Sequence, residues 1–89
     1  MRFTWDETKR VINLKQHGFD FADAPAMFAG VTFTYADDRF DYGEQRFVTL
    51  GMLNGMVVSM VHTETPHRIH LLSFRKASRH EQIIYFESI

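Results

Sequence analysis

The spacing of apolar residues along the chain switches from helical to extended and back, and the switches mark out its elements. Asp6 as N-cap, Glu7 in the first turn, Val11 and Leu14 as an apolar stripe and Gly18 as a stop predict a helix over residues 7 to about 17. Phe21, Ala24 and Phe28 recur at helical spacing with Met27 alongside, which predicts a second short helix over residues 21 to about 29, with Pro25 in its first turn. Val31, Phe33 and Tyr35 alternate with Thr32 and Thr34 as in a half-buried strand. Residues 36–43 are polar and acidic, a connecting loop.

Residues 44–53 and 56–63 flank Asn54-Gly55, the sequence of a two-residue type I′ hairpin turn. That turn sets the register: Leu53 faces Met56, Val48 faces Val61, Phe47 faces His62 and Arg46 faces Thr63. After a turn at residues 64–67, Ile69 and Leu71 alternate with Arg68, His70 and Leu72, predicting a strand over 68–74. Ser78-Arg79-His80-Glu81 is a capping box ahead of an apolar run, so a last helix starts at about Ser78. The expected architecture is α+β: two N-terminal helices, a four-stranded, mainly antiparallel sheet and a C-terminal helix.

Composition narrows the picture. At 89 residues with 45% hydrophobic content and nine Phe, the chain is expected to form one folded domain over residues 1–89. Thirteen aromatic residues are many for one small core, so part of the apolar surface is expected to be completed by another chain. Without cysteine there is neither a disulfide framework nor a thiolate metal site, in keeping with a cytoplasmic protein. No apolar run is long enough to span a membrane, and no membrane partner is expected. No glycine-rich phosphate loop suggests a nucleotide cofactor, so none is expected. The histidines follow no zinc-ligand spacing, and the acidic loop lacks that of an EF-hand.

A net charge of −1 argues against a domain that grips nucleic acid by bulk charge, and no helix is basic enough to enter a major groove. The charges are nonetheless uneven. Between Thr65 and His80 there are four cations, Arg68, Arg75, Lys76 and Arg79, and no carboxylate. Arg75, Lys76 and Arg79 converge on the start of the last helix, whose free N–H groups favour an anion; this is either a phosphate site or a solvated rim. On the predicted register Arg46, Thr63 and Arg68 form a row across one end of the sheet. Like charges so placed need an anion or a carboxylate between them, and Glu44 and Glu64 are near enough in sequence to serve. Either a Glu–Arg network holding the sheet end or a ligand site satisfies the pattern.

Several segments together resemble one family, the BrnT toxins: Phe3-x-Trp5-Asp6 with Lys9, Asn13, Lys15-x-His17-Gly18, Phe21 and Ala24, then Asp41-Tyr42-Gly43-Glu44-x-Arg46, Gly51, Arg68-Ile69 and Ser73-x-Arg75-Lys76-Ala77. The resemblance departs in two places, at Thr65-Pro66, where a cation is usual, and at Phe74, where a small residue is usual. It implies a RelE-like ribonuclease of a type II toxin–antitoxin system that inhibits translation by cutting RNA. It further implies a BrnA-like antitoxin with a ribbon-helix-helix domain, through which alone the toxin would meet operator DNA.

Metal-free RNA cleavage proceeds by attack of the ribose 2′-OH on the adjacent phosphorus, and needs proton transfer at both ends and stabilised phosphoryl charge. Arg46, Arg68, Arg75 and Arg79 are the candidates for the charge, with Lys15 and Lys76 as phosphate-binding residues. Glu44, His17 and His62 are the candidates for proton transfer. The alternative is a non-catalytic module whose cationic face only receives an acidic segment of the antitoxin.

Overall fold

The computed structural model describes residues Met1–Ile89. The chain opens with a strand, β1 (Arg2–Thr4), followed by helix α1 (Glu7–His17), a 3-10 turn (Phe21–Asp23) and helix α2 (Ala24–Phe28). Strands β2 (Phe33–Asp37), β3 (Arg46–Leu53), β4 (Met56–Thr65) and β5 (Arg68–Lys76) come next, then helix α3 (Arg79–Ser88). The sheet has five strands in the order β1-β5-β4-β3-β2. It is mixed, because β1 runs parallel to β5 while every other pair is antiparallel.

The expectation of a four-stranded sheet behind two N-terminal helices is therefore wrong. Arg2-Phe3-Thr4 is too short to show an alternation, and its pairing with β5 lies 66 residues away along the sequence. What fixes β1 is tertiary: Phe3 packs against the core and lies 5.3 Å from the ring of Phe28. Thr4 Oγ1 makes a 2.8 Å hydrogen bond with His70 Nδ1.

The hairpin follows its turn chemistry. Asn54 and Gly55 both have positive φ, 51° and 78°, as a type I′ turn requires, and Phe47 pairs with His62. The next turn does not sit where the sequence placed it. Both strands extend to a two-residue turn at Pro66-His67, so Arg68 pairs with Thr65 and Thr63 pairs with His70. The predicted row of Arg46, Thr63 and Arg68 is thus broken, and Arg68 lies two residues further toward the sheet's end. A bulge between Val61 and His62 sets Val61 opposite Ser73 and His62 opposite Leu71, leaving Leu72 as the extra residue.

The sheet separates two apolar layers. On one face the 3-10 turn and α2 cover Val58, Met60, Ile69, Leu71 and Phe74, with Phe21, Ala24 and Met27 fully buried between, while α1 lies along β5, buries only Asn13 and leaves the expected Val11 and Leu14 stripe exposed. Gly51 admits this close packing: a Cβ there would lie 2.6 Å from Met27 Sδ. Where β1 ends, Asn13 of α1 continues the edge of β5, its Oδ1 accepting from Phe74 N–H at 2.9 Å and its Nδ2 donating to Phe74 O at 2.8 Å. On the other face α3 covers Val48, Leu50, Val57 and Ala77 through Tyr85. It is short, so it leaves the Arg46 end of that face open.

His62 belongs to the helix-covered face. Its ring is 1% exposed, stacks on Phe47, meets Phe28 edge-on and binds Thr49 Oγ1 through Nε2 at 2.7 Å. Burial holds its pKa below the usual histidine value despite Glu64 at 3.8 Å. A histidine depressed in the folded state makes stability rise with pH. That contribution is complete above the unfolded value of about 6.5 and is lost as pH falls from there toward the lower folded pKa. Thermal unfolding is accordingly expected to move to lower temperature between pH 7 and pH 5, and His62→Gln to flatten that slope; an unchanged slope in the variant assigns it to another group.

Candidate active site

The open part of the α3 face is a groove of two adjoining hollows, about 360 Å³ and about 310 Å³. They share Asp37, Arg39, Val61 and Arg75. The bulge on β5 brings Leu72 and Ser73 into the floor. One wall is the loop from β2 to β3, carrying Arg39 and Tyr42; the opposite one is the start of α3, with Ser78, His80 and Glu81. Lys9 of α1 closes the β5 side.

Each arginine of the groove has a carboxylate. Asp37, whose side chain is 1% exposed, takes a bidentate contact from Arg39 at 2.8 and 3.0 Å and a weaker one from Tyr42 Oη at 3.3 Å. The Arg39 guanidinium holds the Asp37 carboxyl below the usual range, outweighing its burial, and Asp37 in turn raises the pKa of Arg39. Glu81 takes Arg75 at 2.7 and 3.1 Å, Ser78 N–H at 2.8 Å and Ser59 Oγ at 3.2 Å. Burial is the largest effect on Glu81 and pushes its pKa up, but the hydrogen bonds from Arg75 and Ser78 together bring it below the ordinary value. Tyr35 is raised, by burial first and the Glu81 charge second.

Arg46 is held more loosely. Its Cζ lies 4.0 Å over the ring of Tyr42, a cation–π contact, and one terminal nitrogen reaches Glu44 at 3.3 Å. Its Nε is buried with no hydrogen-bond partner. Of the three groove guanidiniums it alone lacks a bidentate carboxylate, which leaves its donors the freest to take an anion.

The structure thus brings together only part of the predicted set. Arg46 and Arg75 line the groove, with Glu44 beside Arg46 at its rim. Arg68 stands next to Arg2 at the end of the sheet, on the groove's face but beyond its two hollows. Arg79 is exposed in the first turn of α3, and Lys15 and His17 lie in the last turn of α1; none of the three lines the groove. Lys76 pairs with Val58, whose side chain is in the core under α2, so it leaves the opposite face from Arg75. His62 is packed on that opposite face too.

Lys9, Asp37, Arg39, Tyr42 and His80 line the groove but were not among the site candidates of the sequence. Asp37 and Arg39 sat inside a stretch that read as a solvated acidic loop, although an Asp-x-Arg spacing can fold into a bidentate pair. Nowhere in the molecule do three His, Asp or Glu side chains converge as a metal site would need.

The profile of a family described as "Ribonuclease toxin, BrnT, of type II toxin-antitoxin system" matches residues 5–81. The chain belongs to the BrnT family. No individual curated protein matches it. The matched segment runs from Trp5 to Glu81 and includes every side chain of the groove, while β1 lies before it. Membership of the BrnT family makes this a ribonuclease toxin of a type II system, with RNA as substrate and an antitoxin as partner.

Proposed function

We propose that the groove is the active site of a metal-independent endoribonuclease that cuts RNA and so blocks translation. The observation that carries this reading is the convergence of Arg39, Arg46, Arg75 and Lys9 on one open face in a chain of a ribonuclease family. Arg46 engages the phosphoryl oxygens, because its donors are the least committed. Arg39 and Arg75, fixed by Asp37 and Glu81, frame the phosphate and hold the groove's shape. Glu44 at the rim takes the 2′-OH proton as that oxygen bonds to phosphorus. His80, the histidine of the groove, protonates the departing 5′-oxygen. Tyr42 and Phe40, the latter 68% exposed, give the rim aromatic faces on which bases can stack.

Metal independence is supported by the donors: the carboxylates deepest in the groove, Asp37 and Glu81, already hold guanidiniums. The purified chain is expected to cleave RNA in excess EDTA, leaving 2′,3′-cyclic phosphate and 5′-hydroxyl ends. Loss of cleavage on chelation, or 5′-phosphate ends, overturns the mechanism. Two paired arginines also suit a non-catalytic receptor for an acidic antitoxin segment, and absence of cleavage by the correctly folded chain favours that reading.

For the partner, the proposal is a BrnA-like ribbon-helix-helix antitoxin, with operator DNA reached only through it. The outer side of α3 carries Ile83, Phe86 and Ile89, all about half exposed or more, and supplies an apolar surface for another chain to complete. Phe86→Asp is expected to weaken the antitoxin complex at least ~10-fold with the melting temperature unchanged, the effect of losing one buried aromatic anchor; unchanged binding by titration places the antitoxin elsewhere.

A further inference from the structure

Arg2 and Arg68 are register partners in the parallel pair of β1 and β5, so their side chains leave the same face of the sheet. Their neighbours Phe3 and Ile69 point into the core under α2, which puts the two arginines on the groove's face. Both are exposed, and neither makes a salt bridge. The carboxylates nearest in sequence to this end of the sheet are engaged elsewhere: Glu44 is with Arg46, and Glu64 pairs in register with Ile69 and turns to His62 on the other face. Across β4 the partner of Arg68 is Thr65, which carries no charge. Adjacent strands lie about 4.8 Å apart, so two like charges stand side by side with nothing between them, an arrangement that costs stability unless an anion is present.

We propose that Arg2 and Arg68 form a second phosphate-binding subsite, which lengthens the RNA footprint beyond the groove. The inference rests on reading the groove as an RNA site. From Arg46 to Arg68 is two strands across and about two residues along, roughly 12 Å from strand geometry, a distance an extended single strand covers in a few nucleotides. The floor between is polar and free of carboxylates: Thr63, and His70 hydrogen-bonded to Thr4. A strand of RNA leaving Arg46 across β4 and β5 meets no negative charge before this pair. Arg68 lies inside the segment that the family profile matches and Arg2 before it, so the subsite joins a residue of that segment to one outside it.

The test compares the chain with its Arg2→Ala/Arg68→Ala variant. Fluorescence anisotropy is measured on 2′-O-methyl RNAs, which cannot be cut, of three and of ten nucleotides. The variant is expected to bind the ten-mer about 10-fold more weakly, with its salt slope reduced by about 1.4, the value for two lost contacts to a single strand. It is expected to bind the three-mer as before, and to show a raised KM with unchanged kcat on long RNA. Its melting temperature is expected to stay level or rise, since a repulsion has been removed. Equal weakening for both lengths, no weakening for either, or a loss confined to antitoxin binding each overturns the subsite. If the unaltered chain binds both 2′-O-methyl RNAs but does not cut the long unmodified RNA, the catalytic reading of the groove fails while the length comparison still decides the subsite.

Discussion

Replacing Arg46 by Ala is expected to lower RNA cleavage by at least about 10²-fold, the scale of removing one donor that stabilises charge in the transition state. The fold is expected to survive. The side chain is 28% exposed, its carboxylate partner Glu44 is exposed and free to return to water, and Arg46 crosses no core layer. Removing it deletes one cation–π contact with Tyr42 and leaves no buried charge behind. Lys is expected to rescue poorly, because an ammonium is a point charge and cannot span two phosphoryl oxygens as a guanidinium does. The measurement is kcat/KM on a defined RNA beside a melting curve. Full activity in a folded Arg46→Ala variant removes this arginine from the mechanism.

Glu81→Ala is expected to destabilise the chain by about 2 to 4 kcal/mol, the scale of a lost helix cap together with a buried hydroxyl left without its partner. One carboxylate here closes the capping box of α3, binds Ser59 under the helix and clamps Arg75. Its loss frees the helix start, leaves a buried hydroxyl unpaired and releases the guanidinium. Arg75→Ala is the reciprocal injury, since it strands the Glu81 carboxylate, which is 11% exposed. Arg75, a candidate for phosphoryl charge in the sequence, is through this partner also a part of the fold. Glu81, depressed in the folded state, stabilises above the unfolded carboxyl value of about 4.3, and that stability is lost as pH falls through its folded pKa. Glu81→Gln is expected to lose that acid-side dependence, read by denaturant titration between pH 6 and pH 3. Variants as stable as the parent at neutral pH refute the clamp.

What the sequence made legible was local. A turn that demands two positive φ angles, a Ser-x-x-Glu box and an Asp N-cap each act over a few residues, and each appears where its chemistry placed it. What it hid was decided at a distance. Pro66 and His67 form a tight turn that lets both strands run on, and that shift of two residues moved Arg68 from Arg46 to Arg2. The face of His62 follows from the alternation of β4, but the ring of Phe28 that closes over it, and so removes it from the proton-transfer candidates, comes from α2. Lys9 and Tyr42 lay among the residues of the family resemblance, yet their shared role becomes visible only when α1 and the loop from β2 meet over β5.

The pairing of the groove's arginines with Asp37, Glu44 and Glu81 also bears on how such a protein behaves among the bulk RNA of a cell. A surface of unpaired cations would collect any polyanion it met, most of it unproductively. Here a phosphate must compete with a carboxylate already in place, so weak encounters gain little and dissociate quickly. On the proposed reading, retention falls to strands that also satisfy the groove's shape and rim and extend to the unpaired Arg2 and Arg68, and selectivity arises from internal competition while a net charge of −1 gives no bulk attraction.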